Sequence, residues 1–106
     1  MKKYEVGFIL RPNLDEAMVN ETINLLKAIY TDRDGKIVDE ANVGLRELAY
    51  EIDHFKNGYY FFFVVEANHE ANQEFERICR INDAVIRFLV VDVDDVEANT
   101  LDTIRK

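Results

Sequence analysis

A chain of 106 residues has the length of one domain, and a composition of 48% hydrophobic and 32% charged residues excludes a disordered protein. The formal net charge of -8 means that the molecule as a whole repels phosphate, so any contact with nucleic acid must be local. The single cysteine, Cys79, excludes an internal disulfide and fits a reducing compartment. The first apolar stretch is too short for a signal sequence or a membrane span, so we expect a cytoplasmic protein.

The chain begins with a predicted strand at residues 4–10, where side chains alternate between two faces. Pro12 ends this strand because it lacks a backbone donor. Asp15 is a plausible N-cap for a helix that reaches about Tyr30. The apolar residues of that helix fall on one stripe: Met18, Val19, Ile23, Leu26, Ile29 and Tyr30.

A long second strand is predicted at residues 36–53, after a helix stop at Asp34-Gly35, with an interruption near Gly44. Lys56-Asn57-Gly58 then predicts a tight hairpin turn, because Asn-Gly readily adopts the left-handed conformations that such a turn requires. The third strand is predicted at residues 59–67.

The second helix is predicted to begin at the cap residue Asn68 and to end at Asn82-Asp83. A fourth strand follows at residues 85–93, with Val85 placed by alternation on the same face as Arg87 and Leu89. The order βαββαβ predicts a ferredoxin-like α+β fold, in which a four-stranded antiparallel sheet carries two helices on one face. We assign residues 1–93 to this domain and residues 94–106 to a short acidic C-terminal tail.

Two helices on one side leave the other side of the sheet uncovered, and we call it the open face. The third strand is apolar on both sides, and Glu66 indicates which of its residues point away from the helices. Exposed apolar area of this kind is typical of a docking surface, unless the C-terminal segment of the chain covers it. The predicted partner-binding residues are Tyr60, Phe62, Val64 and Leu89, and the same alternation adds Arg87, Ile9, Glu5 and Lys3 to this face.

Residue patterns that carry catalysis or bind cofactors are missing from the sequence. There is no serine, and the glycines form no phosphate-binding loop. His54 and His69 lack partners at metal-ligand spacing, and Cys79 lies on an apolar helical face that favours an inert thiol. We therefore expect no enzyme, no catalytic residue, no cofactor and no metal.

Several short segments together resemble the family of ribosomal protein six of the bacterial small subunit. Their order and spacing extend over residues 2–91, nearly the whole chain. They are Lys2-Lys3-Tyr4-Glu5, Leu14-Asp15-Glu16, Gly44-Leu45-Arg46, Leu48-Ala49-Tyr50-Glu51-Ile52, Gly58-Tyr59-Tyr60 and the run from Arg80 to Val91.

The resemblance implies a ribosome-associated structural protein that binds the central domain of small-subunit rRNA as a heterodimer with ribosomal protein eighteen, a strongly basic neighbour. It also implies that the partner docks on the open face. Glu47 and Asp92 stand where this family is usually basic, so we expect weak RNA binding by the chain in isolation. The RNA-binding residues carried over from the family are Lys2, Lys3, Arg46, Arg80 and Arg87.

Four of these five basic residues also have an ordinary explanation, whereas the charge of Arg87, between Val85 and Leu89 on a strand face, needs a partner or open water. Arg80 lies in the last turn of the second helix, where a cation offsets the helix dipole. Lys2 and Lys3 belong to a solvated terminus, and Arg46 could pair with a carboxylate across the sheet.

Other functions of the same topology remain open. A small-molecule-binding regulatory domain explains the fold but not the motifs. A single-strand RNA binder would stack bases on Phe62 and Tyr60, but its basic-aromatic signature is absent. An acylphosphatase-like enzyme needs a glycine-rich loop after the first strand, and Arg11-Pro12-Asn13 lacks the glycines.

Overall fold

A computed structural model describes residues 1–93 and confirms the ferredoxin-like α+β fold. The elements in chain order are β1 (Lys2–Leu10), α1 (Glu16–Thr31), β2 (Lys36–Ile52), β3 (Phe55–Ala67), α2 (His69–Ile81) and β4 (Val85–Asp92). The strands form one antiparallel sheet in the order β2-β3-β1-β4. The predicted tail, residues 94–106, lies outside the described residues.

The core lies between the helices and one face of the two central strands. Alternate residues of β1 and β3 are almost fully buried there, because successive side chains of a strand point to opposite faces. Phe75 of α2 contacts this layer, with its ring centroid 6.2 Å from that of Phe8 and 6.4 Å from that of Phe88. The buried strand residues are Val6, Phe8, Leu10, Phe61, Phe63 and Val65.

The first helix begins where the sequence predicts. The Oδ1 atom of Asp15 accepts a 2.8 Å hydrogen bond from the backbone N–H of Met18, which satisfies one free donor of the first turn. Asn68 has the extended backbone of an N-cap of α2, although its side chain makes no capping hydrogen bond within the described part of the chain.

The hairpin turn between β2 and β3 lies at Asp53 and His54, so the prediction of a turn at Asn57-Gly58 is wrong. Asp53 and His54 have φ values of +50° and +69°, and Ile52 pairs directly with Phe55, as in a two-residue hairpin. Gly58 instead lies inside β3. A side chain at Gly58 would overlap Cγ2 of Ile9 and would come within 3.1 Å of the carbonyl oxygen of Leu10. The absence of a side chain at Gly58 therefore permits close packing of β3 against β1.

The distal part of β2 arches away from β3. Glu47 pairs with Asn57 and Ile52 pairs with Phe55, so four residues of β2 stand opposite one residue, Lys56, of β3. Extra residues on one strand bend it and increase its twist. We call residues 48–51 the arch. A second irregularity lies between Asn42 and Gly44, which confirms the predicted interruption.

A smaller irregularity shifts the start of β4. Leu10 pairs with Val85 and Ile9 pairs with Arg87, which leaves Ile86 as an extra residue between the two pairs. Val85 therefore packs against the core, and the prediction that it shares a face with Arg87 is wrong. The bulge reverses the alternation at this one position.

Candidate RNA and partner interface

The register of the sheet places the predicted partner residues on the open face. Between β1 and β3, Phe62 stands opposite Gly7 and Val64 opposite Glu5. Between β1 and β4, Leu89 also stands opposite Gly7. Directly paired residues share a face, so Phe62, Gly7 and Leu89 form one row across the middle of the open face.

The members of this row differ in how much surface they offer. Leu89 is 45% exposed, whereas Phe62 is 7% exposed. The ring of Phe62 lies over Gly7 so closely that a Cβ atom at Gly7 would stand 2.6 Å from Cε1 of Phe62. The expectation that Phe62 is exposed is therefore wrong, because its side chain packs within the sheet, whereas Leu89 presents its side chain outward. Tyr60 and Val64 are partly buried.

A small apolar pocket of about 110 Å³ lies at the centre of the open face. All three residues of the middle row, Phe62, Gly7 and Leu89, line this pocket. A pocket of this size can hold part of one aliphatic side chain. The residues that line it on the open face are Gly7, Ile9, Tyr60, Phe62, Arg87 and Leu89.

Arg87 is held at this pocket by a residue of the arch. Its Nη1 donates a 2.6 Å hydrogen bond to the hydroxyl of Tyr50, and its guanidinium carbon lies 5.5 Å from the centroid of the Tyr50 ring. Tyr50 belongs to β2 and Arg87 to β4, which are opposite edges of the sheet. The arch must therefore curve over the open face to make this contact. Leu48, in the same arch, is 7% exposed.

Sequence reasoning missed this role of Tyr50. The alternation of Leu48, Tyr50 and Ile52 predicts a regular strand, and no local signal marks the arch. The sequence also leaves open a C-terminal segment that covers the open face. That segment, residues 94–106, lies outside the described residues.

The five predicted RNA-binding residues do not form one cluster. Lys3 lies on the open face opposite Glu66, and Arg87 lies opposite Ile9, six positions further along β1. At about 3.3 Å per residue, the two backbone positions are roughly 20 Å apart. Arg46 stands opposite Gly58, at the same end of the sheet as Arg87, and its Nη1 donates to the carbonyl oxygen of Leu45 at 2.9 Å.

Arg80 and Lys2 have acidic neighbours and lie apart from the open face. The Nη2 of Arg80 lies 3.4 Å from Oε2 of Glu76, and its guanidinium stacks on Phe88, which points toward the helices. The Nζ of Lys2 lies 3.5 Å from Oδ2 of Asp92. Exposed ion pairs of this kind contribute little to stability, so both cations could exchange their partner for phosphate.

The thiol of Cys79 is buried in α2, as predicted. Desolvation by burial, reinforced by the charge of Glu76, raises its pKa to about 12, so the thiol stays protonated and inert at neutral pH. Within residues 1–93, no group of three or more metal-ligating side chains is found. None of the helices in that part of the chain is long and apolar enough to cross a membrane.

Comparison with known proteins identifies the family to which this chain is similar. A family model described as "Ribosomal protein S6" matches residues 3–92. The small ribosomal subunit protein bS6 of Phytoplasma australiense is 41% identical over 91 residues, which cover 86% of this chain and 98% of the relative. The bS6 protein of Shouchella clausii is 44% identical over 90 residues, which cover 85% of this chain and 95% of the relative.

A solved structure agrees with these relatives. The crystal structure of 30S ribosomal protein S6 from Thermotoga maritima superposes with a TM-score of 0.84 at 31% sequence identity, and the match covers 91% of both chains. Fold and sequence thus agree over nearly the same residues. The chain therefore belongs to the ribosomal protein S6 family.

Proposed function

We propose that this chain binds the central domain of small-subunit rRNA as a heterodimer with ribosomal protein eighteen, on ribosomes in the cytoplasm. The chain belongs to a family of structural, non-enzymatic proteins of the small subunit. The observation that supports binding of rRNA together with a partner protein is the open face. An apolar pocket lies there directly beside an arginine, Arg87, without an acidic partner in the described chain.

The partner protein would dock on the apolar part of the open face. Leu89 is 45% exposed there and Phe62 lines the pocket, with Tyr60 and Val64 as partly buried neighbours. Interfaces of this kind combine an apolar centre with a polar rim. A basic partner suits a chain whose net charge is -8, because opposite charge speeds association and favours the correct partner.

The RNA would meet the rim of the same face. Among the described residues, Arg46 and Arg87 have no carboxylate within ion-pair distance, whereas Arg80 and Lys2 do. Arg87 and Arg46 are therefore the stronger candidates for phosphate contacts, and Lys3 could add one at the far end of the face. Glu47, next to Arg46, reduces the local positive charge, so the chain should bind RNA weakly without its partner.

The alternative of a small-molecule regulatory domain shares only the topology. The relatives named above are ribosomal proteins, and no observation on the open face favours a free amino acid as ligand.

A titration of RNA with both proteins tests the proposal. A fluorescently labelled fragment of the rRNA central domain is titrated with this chain, with ribosomal protein eighteen from the same genome, and with the equimolar mixture. We expect weak binding by this chain and tight binding by the mixture. Tight RNA binding by this chain without the partner would contradict the proposal. So would a mixture that binds RNA no more tightly than ribosomal protein eighteen does by itself.

A further inference from the structure

The contact between Tyr50 and Arg87 restrains the arginine from two directions. The Tyr50 hydroxyl accepts the hydrogen bond from Nη1 at 2.6 Å, and the guanidinium carbon lies 5.5 Å from the ring centroid. A hydrogen bond fixes one end of the guanidinium, and a cation–π contact limits rotation of its plane. An arginine restrained in this way loses less side-chain entropy when it binds a further group.

The partner that restrains Arg87 is neutral, which sets this arginine apart from several others. Arg33 and Arg77 both contact Glu74, and Arg80 contacts Glu76. A carboxylate would position a guanidinium but would also cancel its charge. Tyr50 positions Arg87 and leaves its full positive charge available to an anion.

The arrangement also leaves hydrogen-bond donors for a ligand. Arginine has five N–H donors, and the bond to Tyr50 uses one on Nη1. Within residues 1–93, Tyr50 is the hydrogen-bond partner of the Arg87 side chain. The donors on Nε and Nη2 can form the two parallel bonds by which a guanidinium binds phosphate.

The arch has the anchoring that such a role requires. Leu48 is 7% exposed, so its burial ties the arch to the rest of the domain two residues before Tyr50. On the other side, the ladder resumes at the pair Ile52–Phe55, next to the two-residue turn. Tyr50 itself is 59% exposed, which indicates that its contact with Arg87 is not required to complete the core.

We propose that Tyr50 is a positioning residue, which holds Arg87 at the edge of the open-face pocket so that Nε and Nη2 can bind an rRNA phosphate while the partner protein occupies the pocket. This inference rests on the proposed function. Tyr50 acts through Arg87 and need not touch RNA itself.

A double-mutant cycle tests the inference. The labelled rRNA fragment is titrated with saturating ribosomal protein eighteen and with the wild type, Tyr50→Ala, Arg87→Gln or the double variant, at several salt concentrations. We expect Arg87→Gln to weaken binding about tenfold, as for the loss of a hydrogen-bonded charge, and to reduce the salt dependence by about one phosphate contact. Tyr50→Ala should weaken binding severalfold in the wild type and have no further effect in the Arg87→Gln background.

Two further variants separate positioning from general stability. Tyr50→Phe keeps the ring but removes the acceptor, so its effect should lie between those of the wild type and Tyr50→Ala. Arg77→Gln removes an exposed arginine that is paired with Glu74 on α2, away from the open face, and should leave binding unchanged.

Particular outcomes would overturn the inference. If Tyr50→Ala weakens binding by the same factor with and without Arg87, Tyr50 does not act through Arg87. If Tyr50→Ala changes neither affinity nor salt dependence, it positions nothing. Failure of the proposed function is a different result, in which the wild type itself gains no RNA affinity with the partner.

Discussion

The Tyr30 hydroxyl donates a 2.9 Å hydrogen bond to Oδ1 of Asn72 and so joins α1 to α2 inside the core. Tyr30 is fully buried and Asn72 is 4% exposed. Removal from water raises the pKa of Tyr30 far above its usual value, so the hydroxyl stays protonated and remains a donor at neutral pH. The two helices are thus linked by one polar contact in an apolar layer.

We expect Tyr30→Phe to lower the free energy of unfolding by about 1–2 kcal/mol, because the buried Asn72 side chain loses the hydrogen-bond donor that Tyr30 supplies. Urea denaturation measures this change. The double variant Tyr30→Phe with Asn72→Leu removes both polar groups and should recover part of the loss. The single variant Asn72→Leu completes the cycle. If the double variant loses as much unfolding free energy as Tyr30→Phe and Asn72→Leu together, the contact contributes nothing.

Cys79 makes stability depend on pH in the alkaline range. Its pKa is raised from 9.0 to about 12 in the folded protein, mainly by burial, so the thiol of the unfolded chain ionises first. The stabilisation is fully present below pH 9 and is lost as the pH rises from 9 toward 12. The difference in unfolding free energy between wild type and Cys79→Ala should therefore shrink by about 1 kcal/mol between pH 8 and pH 10. A difference independent of pH would contradict the assignment.

Much of the fold follows from local patterns in the sequence. Alternation fixes which side of β3 faces the helices, with Phe61 and Phe63 inward and Phe62 outward, because a strand has a period of two. The Asp15 cap is equally local, since the carboxylate needs only the backbone N–H of Met18, three residues away. The set of residues on the open face follows from the same alternation, whereas the burial of Phe62 and the arch that curves over this face do not.

The features that the sequence did not predict depend on contacts between distant segments. Val85 and Ile86 are both apolar, so only pairing with β1 reveals the bulge between them. The contact of Tyr50 with Arg87 depends on the curvature of the arch, which no alternation pattern encodes. The sequence predicts the turn at the wrong place because glycine occurs both in tight turns and where strands pack closely. Gly58 is an example of close packing.

Gly58→Ala tests that explanation of the hairpin. The added Cβ would overlap Cγ2 of Ile9 and crowd the carbonyl of Leu10, so we expect a loss of about 1–3 kcal/mol in unfolding free energy. Asn57→Ala is the matched control, since Asn57 is exposed within β3 and should cost less than about 0.5 kcal/mol. Equal losses for both variants would instead favour a turn at Asn57-Gly58.

A glycine introduced at the observed turn should stabilise the protein. His54 has a φ of +69°, which costs roughly 1 kcal/mol for a residue with a Cβ, and glycine is the preferred residue in this position of a two-residue hairpin. His54→Gly should raise the free energy of unfolding by about 0.5 kcal/mol, measured by thermal denaturation. His69→Gly, in the first turn of α2, is the control and should give no gain. A loss of stability in His54→Gly would contradict the turn assignment.

Leu89 and Phe62 separate partner binding from folding, although both lie on the open face. Leu89 is 45% exposed, so Leu89→Asp should change the unfolding free energy by less than about 1 kcal/mol. The same variant should weaken the binding of ribosomal protein eighteen by at least about tenfold, because a charge would enter an apolar interface. Phe62 is 7% exposed and packs on Gly7, so Phe62→Ala should cost about 3 kcal/mol or more in folding free energy. Calorimetry with the partner and urea denaturation measure the two effects. Leu25→Asp, at an equally exposed position on α1, is the control and should leave partner binding unchanged. If Leu89→Asp binds the partner as tightly as Leu25→Asp does, the partner does not dock on the open face.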